Sequence, residues 1–249
     1  MPTVGVEFAK VSYTLASGRV LLRDISLRLE AGTTTALLGR SGSGKTTLLR
    51  MVNGLVTPTS GEVRVAGKAT RDYETVALRR GIGYVIQETG LFPHMTAERN
   101  AGMALELAGR SKPEIEARVR EVMALVGLEF EEFRARYPWQ LSGGQRQRVG
   151  LARALATDPM VLLMDEPFGA LDPLTRAEMQ TMLRGLLEKV GKTVLLVTHD
   201  LDEALYLAQR VVFLSEGSVA ADLSPEEIVG SDNPYVKDYV SAVHRVVSA

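Results

Sequence analysis

Gly39-Arg40-Ser41-Gly42-Ser43-Gly44-Lys45-Thr46 puts three glycines, two serine hydroxyls, an ammonium and a threonine hydroxyl into one short stretch. The run fits G-x-x-x-x-G-K-[ST] and lies between a predicted strand over 33–38 and a predicted helix over 46–53. Glycines let the backbone curl until successive N–H groups face one anion, and a helix beginning near Gly44 adds its positive end. Lys45 then reaches the terminal phosphates, and the Thr46 hydroxyl can ligate Mg²⁺. As a bare string the pattern turns up by chance in roughly 1% of chains this long. Its strand–loop–helix setting separates it from a Gly/Ser-rich surface turn.

Two further clusters extend the chemistry. Val161-Leu162-Leu163-Met164-Asp165-Glu166 is a short apolar strand ending in two carboxylates. Asp165 would be delivered rigidly to hold a Mg²⁺ shell, and Glu166, projecting differently, would position or deprotonate an attacking water. A strand ending in Asp-Glu is commonplace alone; beside a phosphate loop it reads as catalytic. Leu141-Ser142-Gly143-Gly144-Gln145 places a hydroxyl and two glycines ahead of a predicted helix over 147–156, which makes a second anion site. The competing reading is that Ser142 simply caps that helix. One nucleotide does not need two phosphate cradles in one subunit.

The elements that must position these groups alternate. Val4, Val6 and Phe8, then Ile25, Leu27 and Leu29, read as half-buried strands, with further strands over 63–65, 82–86, 161–164, 194–197 and 211–214. Between Glu88 and Tyr137 helical spacing takes over through Met103, Leu105, Leu107, Ile115, Val119, Val122 and Met123. Helices are also expected over 175–189 and 202–208, and two short ones after Ser224. Strands separated by helices argue for a mainly parallel sheet covered on both faces.

Composition narrows the class. The 249 residues carry 29 Lys+Arg against 30 Asp+Glu, so net charge offers no reason to expect nucleic-acid binding. The absence of Cys excludes disulfides, iron–sulfur clusters, Cys-ligated zinc and thiol nucleophiles, and the scattered His94, His199 and His244 do not suggest a metal site. No apolar run approaches the ~18 residues of a membrane helix. The start, Met1-Pro2-Thr3-Val4, lacks signal-peptide features, so a cytosolic chain is expected.

The order phosphate loop, Gln87, Leu141–Gln145, Asp165-Glu166, His199 resembles the ATP-binding subunits of ABC transporters over essentially the whole chain. The resemblance implies a P-loop NTPase of the ABC ATPase type: a mainly parallel core sheet with an antiparallel β sub-domain and a helical sub-domain. It divides the chain into a nucleotide-binding core over 1–87 and 158–223, a helical sub-domain over 88–157, and a short helical tail over 224–249. ATP and Mg²⁺ are the implied ligands. Residues 39–46 and Thr47 would hold the phosphates; position 40 varies among such loops, so little follows from Arg40. Two copies would sandwich two ATP molecules head to tail, with Ser142, Gly144 and Gln145 touching the γ-phosphate held by the opposite copy and Gly143 part of the same nucleotide-binding loop. Gln87 would sense Mg²⁺ and the attacking water, His199 would contact the γ-phosphate and hold Glu166, Asp172 would lie across the dimer seam, and Tyr13 would stack on adenine.

The chain has no fused membrane helices, 119 residues between Lys45 and Asp165 without sustained heptads, and one cassette. These features favour a free-standing subunit at the cytoplasmic face of the inner membrane, serving permease subunits and, indirectly, an extracytoplasmic binding protein. The strings Ile82–Gln87, Gly90–Thr96, Tyr137-Pro138 and Met164–Pro173 resemble the importer group for quaternary-amine osmoprotectants such as glycine betaine, choline and carnitine. Importers of polar amino acids share most of these strings. Many osmoprotectant members carry a C-terminal regulatory domain of paired modules, which is not expected in this chain. A nucleotide-dependent regulatory module acting on a soluble partner is the reading from a different class; Asp165, Glu166 and His199 together argue for hydrolysis.

Overall fold

The computed structural model describes residues 4–243; the N-terminal Met1–Thr3 and the end of the tail, 244–249 with His244, lie outside the described residues. The described residues divide into two compact units, one of Val4–Tyr73 with 195–243, the other of Glu74–Val194.

In the first unit an antiparallel sheet runs in the order β2-β1-β4-β5, with β1 Val6–Thr14, β2 Val20–Leu29, β4 Ser60–Val65 and β5 Lys68–Ala69. Both long strands extend beyond the alternation that marks them in the sequence. Lys10 (φ +50°) in β1 and Asp24 (φ +48°) in β2 accompany shifts in the strand register. Each irregularity advances the buried face by one residue. Val11 therefore follows Phe8 into the core, and Leu22 precedes Ile25.

The same unit carries strands in the order β10-β9-β3-β8. β3 (Thr34–Leu38) pairs parallel with β9 (Arg210–Ser215), and β10 (Ser218–Leu223) returns antiparallel on β9. All five residues of β3 are buried, as are those of β8 (Thr193–Val197). β10 is mostly half-buried, with no fully buried residue, and carries no clean apolar alternation, so the sequence did not mark it. Helices α1 (Lys45–Val52), α8 (Leu201–Leu207), α9 (Pro225–Val229) and α10 (Pro234–Val243) complete the unit. Ala36, Leu38, Leu201, Ala204, Phe213 and Val236 share one core cluster.

The second unit pairs β6 (Ile82–Val85) with β7 (Val161–Asp165) in parallel and surrounds them with helices. These are α2 (Thr75–Arg80), α3 (Ala97–Leu107), α4 (Lys112–Leu125), α5 (Phe130–Phe133), α6 (Gly143–Leu155) and α7 (Pro173–Val190). The buried face of α3 is Ala97, Asn100, Ala101, Gly102 and Leu105, while Leu107 is 72% exposed. Of the expected Met103, Leu105 and Leu107 only Leu105 is buried; the face is instead made mostly of small residues, which lets α3 meet α4 at close range. A Cβ on Gly102 would sit 2.7 Å from Ile115 Cγ2. Among the described residues no helix is long and apolar enough to cross a membrane.

Candidate nucleotide site

The phosphate loop forms because glycines stand where the backbone leaves the range open to other residues. Gly39, Gly42 and Gly44 have φ of +156°, +79° and +99°. A Cβ on Gly39 would lie 2.3 Å from the Leu214 carbonyl oxygen, and one on Gly44 2.5 Å from Leu22 Cδ2. The Lys45 ammonium donates to the carbonyls of Gly39 (2.7 Å) and Arg40 (3.0 Å), so it reaches back along the loop from the first turn of α1. Lys45 is 6% exposed, and the Ser43 hydroxyl is buried without a hydrogen-bond partner. A curled loop with a buried ammonium and an orphaned hydroxyl fits a phosphate ligand.

Two other expected residues belong to this unit. His199 follows β8, and the Thr198 amide beside it donates to the Leu37 carbonyl (3.2 Å), at the end of the strand that feeds Gly39. Tyr13 in β1 pairs across the sheet with Leu22, whose side chain packs where a Gly44 Cβ would be. Within the first unit Tyr13 is thus one strand removed from the loop through Leu22, and His199 follows the residue bonded to Leu37, two positions before Gly39. Thr46 and Thr47 occupy the first turn of α1.

The second unit holds the carboxylates. Asp165 ends β7 at 7% exposure and accepts a hydrogen bond from the Tyr84 hydroxyl (3.2 Å) across the β6–β7 pair. Glu166 has φ +47°, a left-handed conformation that a side-chain-bearing residue adopts at a cost. Its carbonyl accepts from the Gly169 amide (3.2 Å), closing a tight turn. Gln87 lies in the turn after β6, and a Cβ on Gly169 would stand 3.2 Å from its Nε2. The bare Gly169 thus lets the Gln87 amide approach the turn that begins at Glu166. In this unit Gln87 and Asp165 would offer oxygen donors, and in the first unit the Thr46 hydroxyl another, all of the hard type that suits Mg²⁺.

Ser142 is the N-cap of α6, which starts at Gly143 and so earlier than the helical spacing suggested. Its hydroxyl accepts from the Gln145 amide (3.2 Å) while the Gln145 side chain accepts from the Ser142 amide (2.9 Å). The capping reading of these residues is therefore realised. Gly143 and Gly144 form the first turn, where a Cβ on Gly144 would come within 2.8 Å of Thr175 Cγ2. Asp172 caps α7: its carboxylate accepts from the Thr175 amide (3.1 Å), and hydrogen bonds from Thr175, side chain and backbone, hold its pKa below the usual carboxylate value.

Several residues escaped the sequence. Arg153 of α6 donates to the carbonyls of Thr89 and Gly90, just beyond Gln87, and burial pushes its pKa down. Asn100, fully buried, ties the following residues: its Oδ1 accepts from the Phe92 amide, and its Nδ2 donates to the carbonyls of Phe92, Met95 and Thr96. Tyr84 and Tyr239 touch Asp165 and His199 respectively. A polar residue at a core position of a helix, as Asn100 is, was the one signal available in the sequence.

A family model described as ABC transporter matches residues 22–169. The glycine betaine uptake system ATP-binding protein YehX of Escherichia coli (strain K12) is 48% identical over 88% of this chain and 71% of its own length. The carnitine transport ATP-binding protein OpuCA of Listeria monocytogenes serotype 1/2a is 42% identical over 94% of this chain and 59% of its own. A sulfate/thiosulfate import ATP-binding protein, CysA of Nocardia farcinica, is 47% identical over 90% and 67%. The chain spans between 57% and 71% of the length of the osmoprotectant relatives it matches. Among solved structures, the dimeric ATP-binding cassette MJ0796 bound to ADP and Pi shares 36% identity at a TM-score of 0.78, covering 88% of this chain and 98% of that one.

Proposed function

The chain belongs to the ABC transporter family, and on that premise we propose that it is the ATP-hydrolysing subunit of an importer for a small solute, a quaternary-amine osmoprotectant such as glycine betaine or choline. The observation that carries the hydrolytic part is that the chain holds both a phosphate loop curled at Gly39, Gly42 and Gly44 and two carboxylates, Asp165 and Glu166, at the end of β7. Similarity to YehX and OpuCA carries the solute class. The 47% identity of a sulfate relative keeps importers of other small solutes as the second reading.

In this reading Lys45 and the amides of 39–46 hold the β- and γ-phosphates. Ser142, Gly144 and Gln145 of a second copy meet the γ-phosphate from the other side. Glu166 takes a proton from the attacking water as the new P–O bond forms and the bond to the β–γ bridging oxygen breaks, releasing ADP and phosphate. Gln87 orients that water, and His199 contacts the γ-phosphate and keeps Glu166 in place. Mg²⁺, held by Thr46, Asp165 and Gln87, would add positive charge where phosphate charge develops. Tyr13 would stack on adenine, and Asp172 would face the seam between copies.

Closure of two copies on ATP would then pull on the permease at the cytoplasmic face of the membrane. In the second unit, Tyr84, Met103, Ala104, Leu107 and Arg153 line a mostly apolar groove of about 320 Å³ beside the segment that follows Gln87. A short cytoplasmic helix of the permease is the occupant we assign to it; the exposed Leu107 and Val76 at its rim supply the apolar contact. Uptake of labelled glycine betaine and choline by cells lacking the chain, restored with wild type or Glu166→Gln, tests the whole. Quaternary-amine uptake restored by wild type alone supports it. Uptake of sulfate or of a polar amino acid restored instead replaces the solute class and leaves the ATPase reading intact.

A further inference from the structure

The segment that carries His199 is braced on both sides by its own neighbours. The Thr198 hydroxyl donates to the Glu203 carboxylate (3.2 Å) and accepts from the Asp200 amide (3.0 Å). The Asp200 carboxylate in turn accepts from the Glu203 amide (3.1 Å) as the cap of α8. The carbonyl of His199 itself is bonded from elsewhere: the Tyr239 hydroxyl of α10 donates to it at 2.8 Å.

Helix α10 is well placed to hold that contact. Asn233 anchors its start, accepting from the Tyr235 amide (2.9 Å) and donating to the Ala220 carbonyl of β10 (2.9 Å). Val236 is buried in the core cluster that also contains Leu38, the residue before Gly39. The Tyr239 ring meets Phe213 of β9 edge-on at 5.5 Å, so its ring is fixed by packing and its hydroxyl by direction. The direction of the His199 carbonyl sets ψ of His199 and φ of Asp200, so a fixed carbonyl holds the backbone that carries the imidazole in one conformation. Anchoring the His199 carbonyl therefore restricts where the imidazole points.

We infer that Tyr239 is a positioning residue: its hydroxyl fixes the peptide after His199 and so aims the imidazole, making the C-terminal helix part of the hydrolytic apparatus. This inference rests on the ATPase reading above. A hydroxyl that only stabilises the fold would alter melting and nothing else; one that aims His199 alters turnover at saturating ATP.

The test is steady-state ATPase kinetics of the full-length chain with Tyr239→Phe, which keeps the ring on Phe213 and removes the hydroxyl. Tyr73→Phe is the control, because Tyr73 donates to the Val65 carbonyl at the same 2.8 Å in the antiparallel sheet. Tyr239→Phe is expected to lower kcat by roughly three- to tenfold, the size of one lost hydrogen bond, with KM for ATP within about twofold of wild type. Amide hydrogen exchange over 198–202 rises in that variant alone. Tyr73→Phe leaves kcat and that exchange unchanged. Equal kcat in the two variants, or an effect of Tyr239→Phe confined to KM, overturns the inference while the ATPase reading stands. A wild-type chain with no turnover at all overturns both.

Discussion

The guanidinium of Arg153 donates to two consecutive backbone carbonyls, Thr89 at 2.6 Å and Gly90 at 2.7 Å, and so ties helix α6 to the loop that follows Gln87. The helix that opens at Ser142 and the turn that carries Gln87 therefore move as one piece. The planar fork is suited to this, since its two terminal N–H groups are held in one fixed plane. Arg153 also lines the groove assigned to the permease, which places the link where a docked helix would press on it.

Arg153→Met keeps an unbranched stem and removes the guanidinium with both bonds. With hydrogen bonds to a charged group worth about 1.5–3 kcal/mol each, the link should fail in the variant. ATP binding is expected to persist, and solute uptake per ATP hydrolysed should fall at least about tenfold. The ratio of uptake to phosphate release in membrane vesicles reads this directly. An unchanged ratio would show that the loop and α6 communicate by another route.

Glu166 sits in the left-handed region while bearing a side chain, and that conformation persists because the turn closed by Gly169 holds it there. Its role as base is checked by Glu166→Gln, which retains shape and loses basicity. Turnover is expected to fall at least ~100-fold, in line with general-base magnitudes, while ATP still binds and still drives association. Near-normal phosphate release would remove Glu166 from the mechanism.

Trp139, the sole tryptophan, is 66% exposed and stacks on Tyr137 with ring centroids 4.5 Å apart, three residues ahead of Ser142. Any surface that covers Ser142 must change its surroundings. ATP added to Glu166→Gln is therefore expected to shift Trp139 emission to shorter wavelength in step with dimer formation by light scattering. Ser142→Arg should bind ATP yet show neither change. A Ser142→Arg chain that dimerises normally would count against the head-to-tail sandwich.

The Asp172 carboxylate is held below its ordinary pKa by Thr175, so its contribution has a defined pH sense. A lowered folded-state pKa means stability that is present above the unfolded value near pH 3.9 and is lost as pH falls through the folded value. Asp172→Ala should thus lower the melting temperature by about 2–4 °C at pH 7. That difference should close as pH drops below the carboxylate range. A gap that persists in acid would mean that packing, and not the charged cap, holds the start of α7.

What was legible in the sequence was local. The phosphate loop works through the conformations of consecutive residues, and glycines at 39, 42 and 44 announce those conformations. The fully buried β3 and β7 announce themselves as unbroken apolar runs. Irregularities at Lys10 and Asp24 hid half of β1 and β2, because one residue out of step inverts the pattern being read. Arg153 and Tyr239 were hidden for a different reason. Their partners are backbone carbonyls 63 or 64 and 40 residues away, and any residue type at Thr89, Gly90 or His199 would present the same oxygen.

Ser43 offers a test in which stability and binding change in opposite directions. Its hydroxyl is buried without a partner, a state that costs about 1–3 kcal/mol when no ligand meets it. Ser43→Ala removes the orphaned group and leaves the backbone amides that line the loop. The nucleotide-free protein should then melt higher, by about 2–4 °C per kcal/mol regained. The rise in melting temperature on adding ATP should shrink, because the hydroxyl that would have met a phosphate oxygen is gone. A variant that loses stability without ligand would show that Ser43 is satisfied within the fold, and an undiminished ATP shift would place its hydroxyl outside the phosphate contacts.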